Sequence, residues 1–171
     1  MWLYAVTDWL ELVPIAICLS FAILGLIQLI KRKKLVRVDK DIIVLGIYYS
    51  AVIAAYLFFD KIPINYRPVL MDGAMEASYP SSTTLLVMSV MLAFIEQIGR
   101  RIRNNAVKRS LQMISAIFMG LMATGRLLSG VHWCTDIIGA VLLSIGMFLI
   151  YKGFADTCNT REKRGVTDGI S

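Results

Sequence analysis

At 171 residues and 57% hydrophobic, with mean hydropathy +0.67, the chain carries more apolar surface than a soluble domain of its size has any use for. The net charge of +6 is not a nucleic-acid footprint, because the basic residues fall at helix ends rather than on one stripe. Cys18, Cys134 and Cys158 have neither metal-site spacing nor the even count of a disulfide framework, so they read as packing residues.

Five apolar runs follow one another, at about 10–30, 41–59, 81–98, 111–128 and 135–151. Each is near the length needed to cross a hydrocarbon core of ~30 Å as helix. A soluble amphipathic helix would carry a polar stripe along one side, and these runs mostly do not. The expected fold is therefore all-α: a polytopic membrane helix bundle of about five transmembrane helices, with residues 1–171 forming a single integral membrane domain. The flank MWLYAVTDWLEL before the first run has no Lys or Arg and carries Asp8 and Glu11, while the cluster KRKK follows the run. A secretory signal has the opposite polarity, so the first run is expected to remain as a helix with its N-terminus outside.

Between the second and third runs lies the longest loop, DKIPINYRPVLMDGAMEASY, in which Pro63 and Pro68 oppose a helix. Long loops in compact proteins are commonly functional. The third run opens with YPSSTT, residues 79–84, and the fourth ends at Arg126. The fifth begins just after the chain's single histidine, His132, and is followed by a polar segment, 159–171, expected to be a mobile tail.

The basic residues divide by side. Six lie in 31–40, five in 99–109, and four more are Lys152, Arg161, Lys163 and Arg164, which makes fifteen of the eighteen Lys and Arg residues. With five spans these three segments share a side, and the positive-inside rule makes it cytoplasmic. There the charges meet anionic lipid headgroups. Short loops and this bias fit a bacterial inner membrane, with the C-terminus cytoplasmic. Only Lys61, Arg67 and Arg126 fall on the outer face, where basic residues are depleted.

These three cations keep company with other reactive groups. His132 and Asp136 stand four residues apart, so they share a helix face if the fifth span starts near His132. A carboxylate beside one imidazole nitrogen fixes the tautomer and frees the other nitrogen as nucleophile or base. Asp136 read alone is also an ordinary first-turn acid. Arg126 offers a planar fork for a phosphate. The start of the third span, with Ser81 and Ser82, presents free backbone N–H groups and a positive dipole end, suited to an anion; the same serines suit plain N-capping. Lys61 and Arg67 would act as interfacial anchors by themselves. Together the three clusters describe a phosphate site on the outer face.

Order and spacing here resemble the type-2 phosphatidic acid phosphatase superfamily, membrane phosphatases related to the vanadium haloperoxidases, whose motifs are K-x6-R-P, P-S-G-H and S-R-x5-H-x3-D. Arg67-Pro68 matches the end of the first motif, Pro80-Ser81 the start of the second, and Arg126, His132 and Asp136 the third. The resemblance spans 60–151. It implies that His132 attacks phosphorus to form a phosphohistidine and that Asp136 orients it. It also implies that Arg67, Arg126, Ser81, Ser82 and Lys61 hold the phosphate. No cofactor and no metal are implied.

The departures are specific. Asp60 stands where the family spacing puts the lysine, one residue before Lys61. Gly125 replaces the third-motif serine, and Ser82-Thr83 replaces Gly-His. Thr83 therefore occupies the position of the family's general acid, leaving Asp72, Glu76 or water in the outer loop as other proton sources. The family usually has six spans and this chain shows five. The expected function is a membrane phosphatase acting on a lipid phosphate or, preferably, a lipid (polyprenyl) diphosphate. The alternative is a lipid-phosphate binding or transport protein using the same site without catalysis. Its partners are that lipid and the surrounding membrane lipids, with no nucleic acid.

Overall fold

The structure is a computed structural model that describes residues 2–33, 38–70 and 73–168, with the side chains of 159 and 161–168 left aside. Among these residues it is helical, and six helices follow in order: α1 Trp2–Leu10, α2 Leu12–Arg32, α3 Lys40–Lys61, α4 Ser82–Arg101, α5 Asn105–Leu128 and α6 Cys134–Asp168. Taking α1 and α2 together as Trp2–Arg32, and α6 as far as Cys158, five helices are long and apolar enough to cross a membrane. The chain is an integral membrane protein.

The first run holds more than expected from its pattern. Helix begins at Trp2, and the break at Glu11 that separates α1 from α2 has a local cause in Pro14. Proline offers no N–H to the carbonyl four residues earlier, that of Leu10, and its ring crowds that carbonyl. The chain turns at this corner, and α1 lies against the end of α5. At the other extreme α6 carries helical backbone through the expected tail to Asp168.

Helix starts are capped by short polar side chains. Ser81 caps α4 by accepting from the Thr84 N–H, and Asn104 caps α5 by accepting from Ala106 and Val107. Asp39, before α3, is tied to α2 from both sides. Its carboxylate accepts from Gln28 Nε2 at 2.8 Å, and its own N–H donates to Gln28 Oε1 at 3.0 Å.

Helix α4 is the axis of the bundle. Leu85, Val87, Val90, Met91 and Ala93 are all buried on it, packed among α2, α3, α5 and α6. The outer helices instead show apolar rows at spacings of three and four: Leu19, Ile23, Leu26 and Ile30 on α2, and Ile114, Ile117 and Leu121 on α5. In water so much exposed apolar surface would drive aggregation; in hydrocarbon it is the solvated face. Polar groups inside are paired across helices, as a lipid-embedded bundle requires. Ser89 bonds Ser144 at 3.2 Å, Tyr48 donates to the Ser89 carbonyl at 3.1 Å, and Gln97 donates to Tyr151 at 2.9 Å.

The two ends differ in chemistry. One end carries ion pairs at helix termini, among them Arg32–Asp39, Arg101–Asp41 and Lys152–Glu96. The other end gathers the α1–α2 corner, the long 62–81 connection, the last turn of α5 and the start of α6.

Candidate active site

The 62–81 connection folds back on itself. Tyr66 and Ala77 form an antiparallel bridge, the Arg67 N–H donates to the Glu76 carbonyl at 3.1 Å, and the Ser78 N–H donates to that of Asn65 at 2.8 Å. Gly73, near the tip, has φ +82°, a conformation that favours glycine. Trp133 fastens this hairpin to the start of α6 by donating its indole N–H to the Tyr66 carbonyl at 2.9 Å. Arg67 is thereby held on one arm and Ser78 on the other.

His132, Ser78 and Asp136 form the buried centre. The direct contact expected between His132 and Asp136 is not a hydrogen bond: Nδ1 lies 3.7 Å from Oδ2. Ser78 stands between them, its hydroxyl 3.2 Å from His132 Nδ1 and donating to Asp136 Oδ2 in a short contact. Since the Ser78 proton goes to the carboxylate, its oxygen accepts from Nδ1–H. That network assigns the tautomer and leaves the Nε2 lone pair free. Asp136 Oδ2 also accepts from the Trp133 N–H at 2.9 Å, a carboxylate in the first turn reaching back to the helix start. Asp136 is thus linked to His132 through Ser78 and also caps the helix start.

Arg126 reaches the centre from the last turn of α5 and is almost wholly buried. Its Nη2 contacts the Thr83 hydroxyl and lies 3.4 Å from Asp8 and 3.9 Å from Glu11. The guanidinium carbon sits 4.7 Å from the centre of the Tyr4 ring. The α1–α2 corner thus supplies the countercharge a buried guanidinium needs and an aromatic face as well. Gly125 gains a reason from the same packing. A Cβ there would come to 2.8 Å from Thr7 Cγ2, so a serine at this position would require Thr7 to shift.

A cavity of about 480 Å³ opens at His132, lined also by Arg67, Tyr56, Tyr79, Ser82 and Asp60, among others; Arg126 and Asp136 stand behind it and are not among the lining residues. Ser82 lines it, whereas Ser81 is fully buried and occupied with Thr84. Lys61 is exposed at the end of α3 and is not among the lining residues, while its neighbour Asp60 is. Glu76 pairs with Arg67 at 3.3 Å. Asp72 lies outside the described residues. Tyr79 forms a wall by lying directly over Gly139 of α6, where a Cβ would come within 2.3 Å of its ring.

Electrostatics favour a neutral imidazole. Burial, then the positive charges of Arg67 and Arg126, push His132 from its ordinary 6.5 down to about 4, against an opposing pull from Asp136. Among the described residues, five buried side-chain nitrogens make no hydrogen bond: Nε and Nη1 of Arg67, Nε and Nη1 of Arg126, and Nε2 of His132; of these, Arg67 Nε is in ion-pair contact with Glu76. Buried donors are nearly always satisfied, so the Nε and Nη1 fork of Arg126 and Nη1 of Arg67, beside a free imidazole nitrogen, are suited to a tetrahedral oxyanion.

Sequence reasoning missed Ser78, Asp8 as a partner of Arg126, and Glu11 as a partner of both Arg126 and Thr83. Ser78 carries no sequence signal, since only the fold of the loop brings it to the histidine. Asp8 and Glu11 did carry one: acids at the edge of an apolar span are costly unless paired.

Residues 17–159 match the family model of the PAP2 superfamily. The match reaches well before the 60–151 stretch that holds the motifs. Among solved structures, the fold matches the crystal structure of a transmembrane PAP2-type phosphatidylglycerolphosphate phosphatase from Bacillus subtilis. The TM-score is 0.59 at 18% identity, over 87% of this chain and 78% of that one. At that identity the likeness is one of fold. No curated protein matches the chain in sequence.

Proposed function

The chain belongs to the PAP2 superfamily, and we propose that it is a membrane lipid phosphatase working through a phosphohistidine on His132. The observation that supports this reading most is the set of buried nitrogens on Arg67, Arg126 and His132 that make no hydrogen bond. Two guanidinium forks bind the phosphoryl oxygens and steady the charge that builds on them in the transition state. His132 Nε2 attacks phosphorus. The Nδ1–H stays bonded to Ser78, and through it to Asp136, which offsets the positive charge the ring acquires. Ser82, at the positive end of α4, completes the cradle. Water then cleaves the N–P bond and releases inorganic phosphate.

The substrate is a lipid phosphate or diphosphate. A monophosphate ester must expel an alkoxide, whose conjugate acid has a pKa near water's ~15.7. A diphosphate expels a phosphate monoester with a second pKa of ~6, which needs no proton to leave. Thr83, standing where the family carries its acid, supplies none near neutrality. With Thr83 alone at the leaving oxygen, a diphosphate such as a polyprenyl diphosphate is the favoured substrate. The test is phosphate release by purified protein in detergent or vesicles from a panel of lipid monophosphates and diphosphates. Release from at least one, absent with soluble non-lipid esters of similar leaving group, supports the reading. Tight lipid-phosphate binding with no release from any would replace it by the binding or transport alternative.

The site is proposed to face outward, on the strength of the uneven split of basic residues. Met75, exposed in the hairpin, is a better reporter than Gly73, whose φ of +82° a cysteine would adopt only with strain. Met75→Cys in a background without the three native cysteines is expected to react with an impermeant thiol reagent in intact cells. Reaction only after lysis would reverse the topology.

A further inference from the structure

Resting on the phosphatase reading above, we propose that Glu11 is the general acid of this protein, donating the proton that the leaving oxygen requires. Two independent placements point to it. First, Glu11 sits at the position where the acid is missing: its Oε2 accepts from the Thr83 hydroxyl at 2.9 Å and lies 3.9 Å from Arg126 Nη2. The rest of that guanidinium, Nε and Nη1, is the buried part without a protein partner. Glu11 is therefore about one guanidinium's width from the proposed phosphoryl group.

Second, Glu11 lines a separate cleft of about 300 Å³ with Val52, Ile53, Leu85 and Leu86, and this cleft shares Tyr56 and Ser82 with the phosphate cavity. Its apolar walls suit a lipid chain. The leaving oxygen is the atom that joins chain to phosphorus, so a lipid lying across both spaces carries it past Tyr56 and Ser82, where Glu11 waits. The other carboxylates near the cavity are placed differently. Glu76 is held by Arg67, Asp136 is buried against Ser78 and the α6 start, and Asp60 lies exposed at the end of α3.

The corner at Pro14 that ends α1 and starts α2 sets Glu11 here, so the N-terminal helix supplies a reacting group and not only an anchor. The step balances. As His132 Nε2 bonds to phosphorus, the P–O bond breaks, and the Glu11 carboxyl proton passes to the leaving oxygen to give the lipid alcohol and a carboxylate. In the second step water attacks phosphorus, the N–P bond returns its electron pair to Nε2, and one water proton restores the Glu11 carboxyl. With Glu11 in this role the native protein handles monophosphates, and the preference for diphosphates that Thr83 alone implies becomes a property of the Glu11→Gln variant.

The experiment compares native protein and Glu11→Gln on three substrates: a lipid monophosphate, the matching lipid diphosphate, and p-nitrophenyl phosphate, whose phenoxide leaves without a proton. Glutamine keeps an oxygen for Thr83 to donate to, and p-nitrophenyl phosphate turnover reports that the variant is folded. The expected result is a loss of about 10²- to 10⁴-fold on the monophosphate in kcat/KM, which reports the step that expels the leaving group and not the later hydrolysis shared by all three, with less than about tenfold change in kcat/KM on the other two. Equal losses in kcat/KM on all three would mean that Glu11 only supports the fold or Arg126, and would overturn the proposal. No loss on any would overturn it too, as would the same leaving-group pattern arising from Asp60→Asn or Glu76→Gln and not from Glu11→Gln. Native protein inactive on every substrate overturns the phosphatase reading itself, and this proposal with it.

Discussion

His132→Ala is expected to reduce phosphate release by about 10⁴-fold or more, the scale seen when a covalent nucleophile or its base is removed; that is about 5.4 kcal/mol of transition-state stabilisation. The chain holds one histidine, so no second imidazole can take over the attack. The variant should still bind the lipid phosphate, because Arg67 and Arg126 are untouched. It should also fail to trap radiolabel from a phosphate-labelled substrate in a rapid acid-sensitive, base-stable form, which the native protein should trap. Phosphate release unchanged in the variant would remove His132 from the mechanism. The pH profile of kcat/KM carries the same assignment further. Only the neutral imidazole attacks, and burial with two nearby guanidiniums lowers its pKa to about 4. Activity should persist as pH falls through 6.5 and fail near 4. Stability falls in the same direction but starts to fall sooner. Below the unfolded value near 6.5 the unfolded chain binds a proton that the folded site refuses until about 4, so that part of the stability is lost across this window as pH falls.

Arg126→Lys is expected to lower kcat/KM by about 10²- to 10³-fold, the range for loss of one preorganised donor to a developing oxyanion. Lysine keeps the charge and loses the planar fork. It also cannot hold Asp8 and Thr83 with one nitrogen while leaving two others for phosphate, the arrangement proposed for Arg126. Weaker competition by inorganic phosphate should accompany the loss of turnover. A lysine variant with native kcat/KM and native phosphate inhibition would show that Arg126 serves the α1–α5 contact alone.

The membrane fold was legible because hydrocarbon imposes a simple rule. A segment that crosses must be about twenty apolar residues of helix, whatever surrounds it, and the runs around 81–98 and 111–128 announce themselves as α4 and α5. Arg126, His132 and Asp136 were legible for a related reason: they lie within one loop of each other, and their spacing survives folding. Pro14 was equally visible, but its consequence was not. A proline says that a helix bends; which helix receives the displaced turn depends on packing, here Thr7 against Gly125.

What only the tertiary structure decided are the partners distant in sequence. Ser78 between His132 and Asp136, 54 and 58 residues away, is one ordinary serine until a hairpin closed by Tyr66 and Ala77 brings it to the imidazole. Lys61 and Asp60 are neighbours in the chain, yet the end of α3 gives the cavity to Asp60, since adjacent helical residues point about 100° apart. Thr83 reads in the sequence as the absence of an acid. In the folded chain its hydroxyl is bonded to Glu11, 72 residues earlier. Sequence periodicity reports how each segment meets its solvent, and it holds no information on which two helix ends a bundle will set side by side.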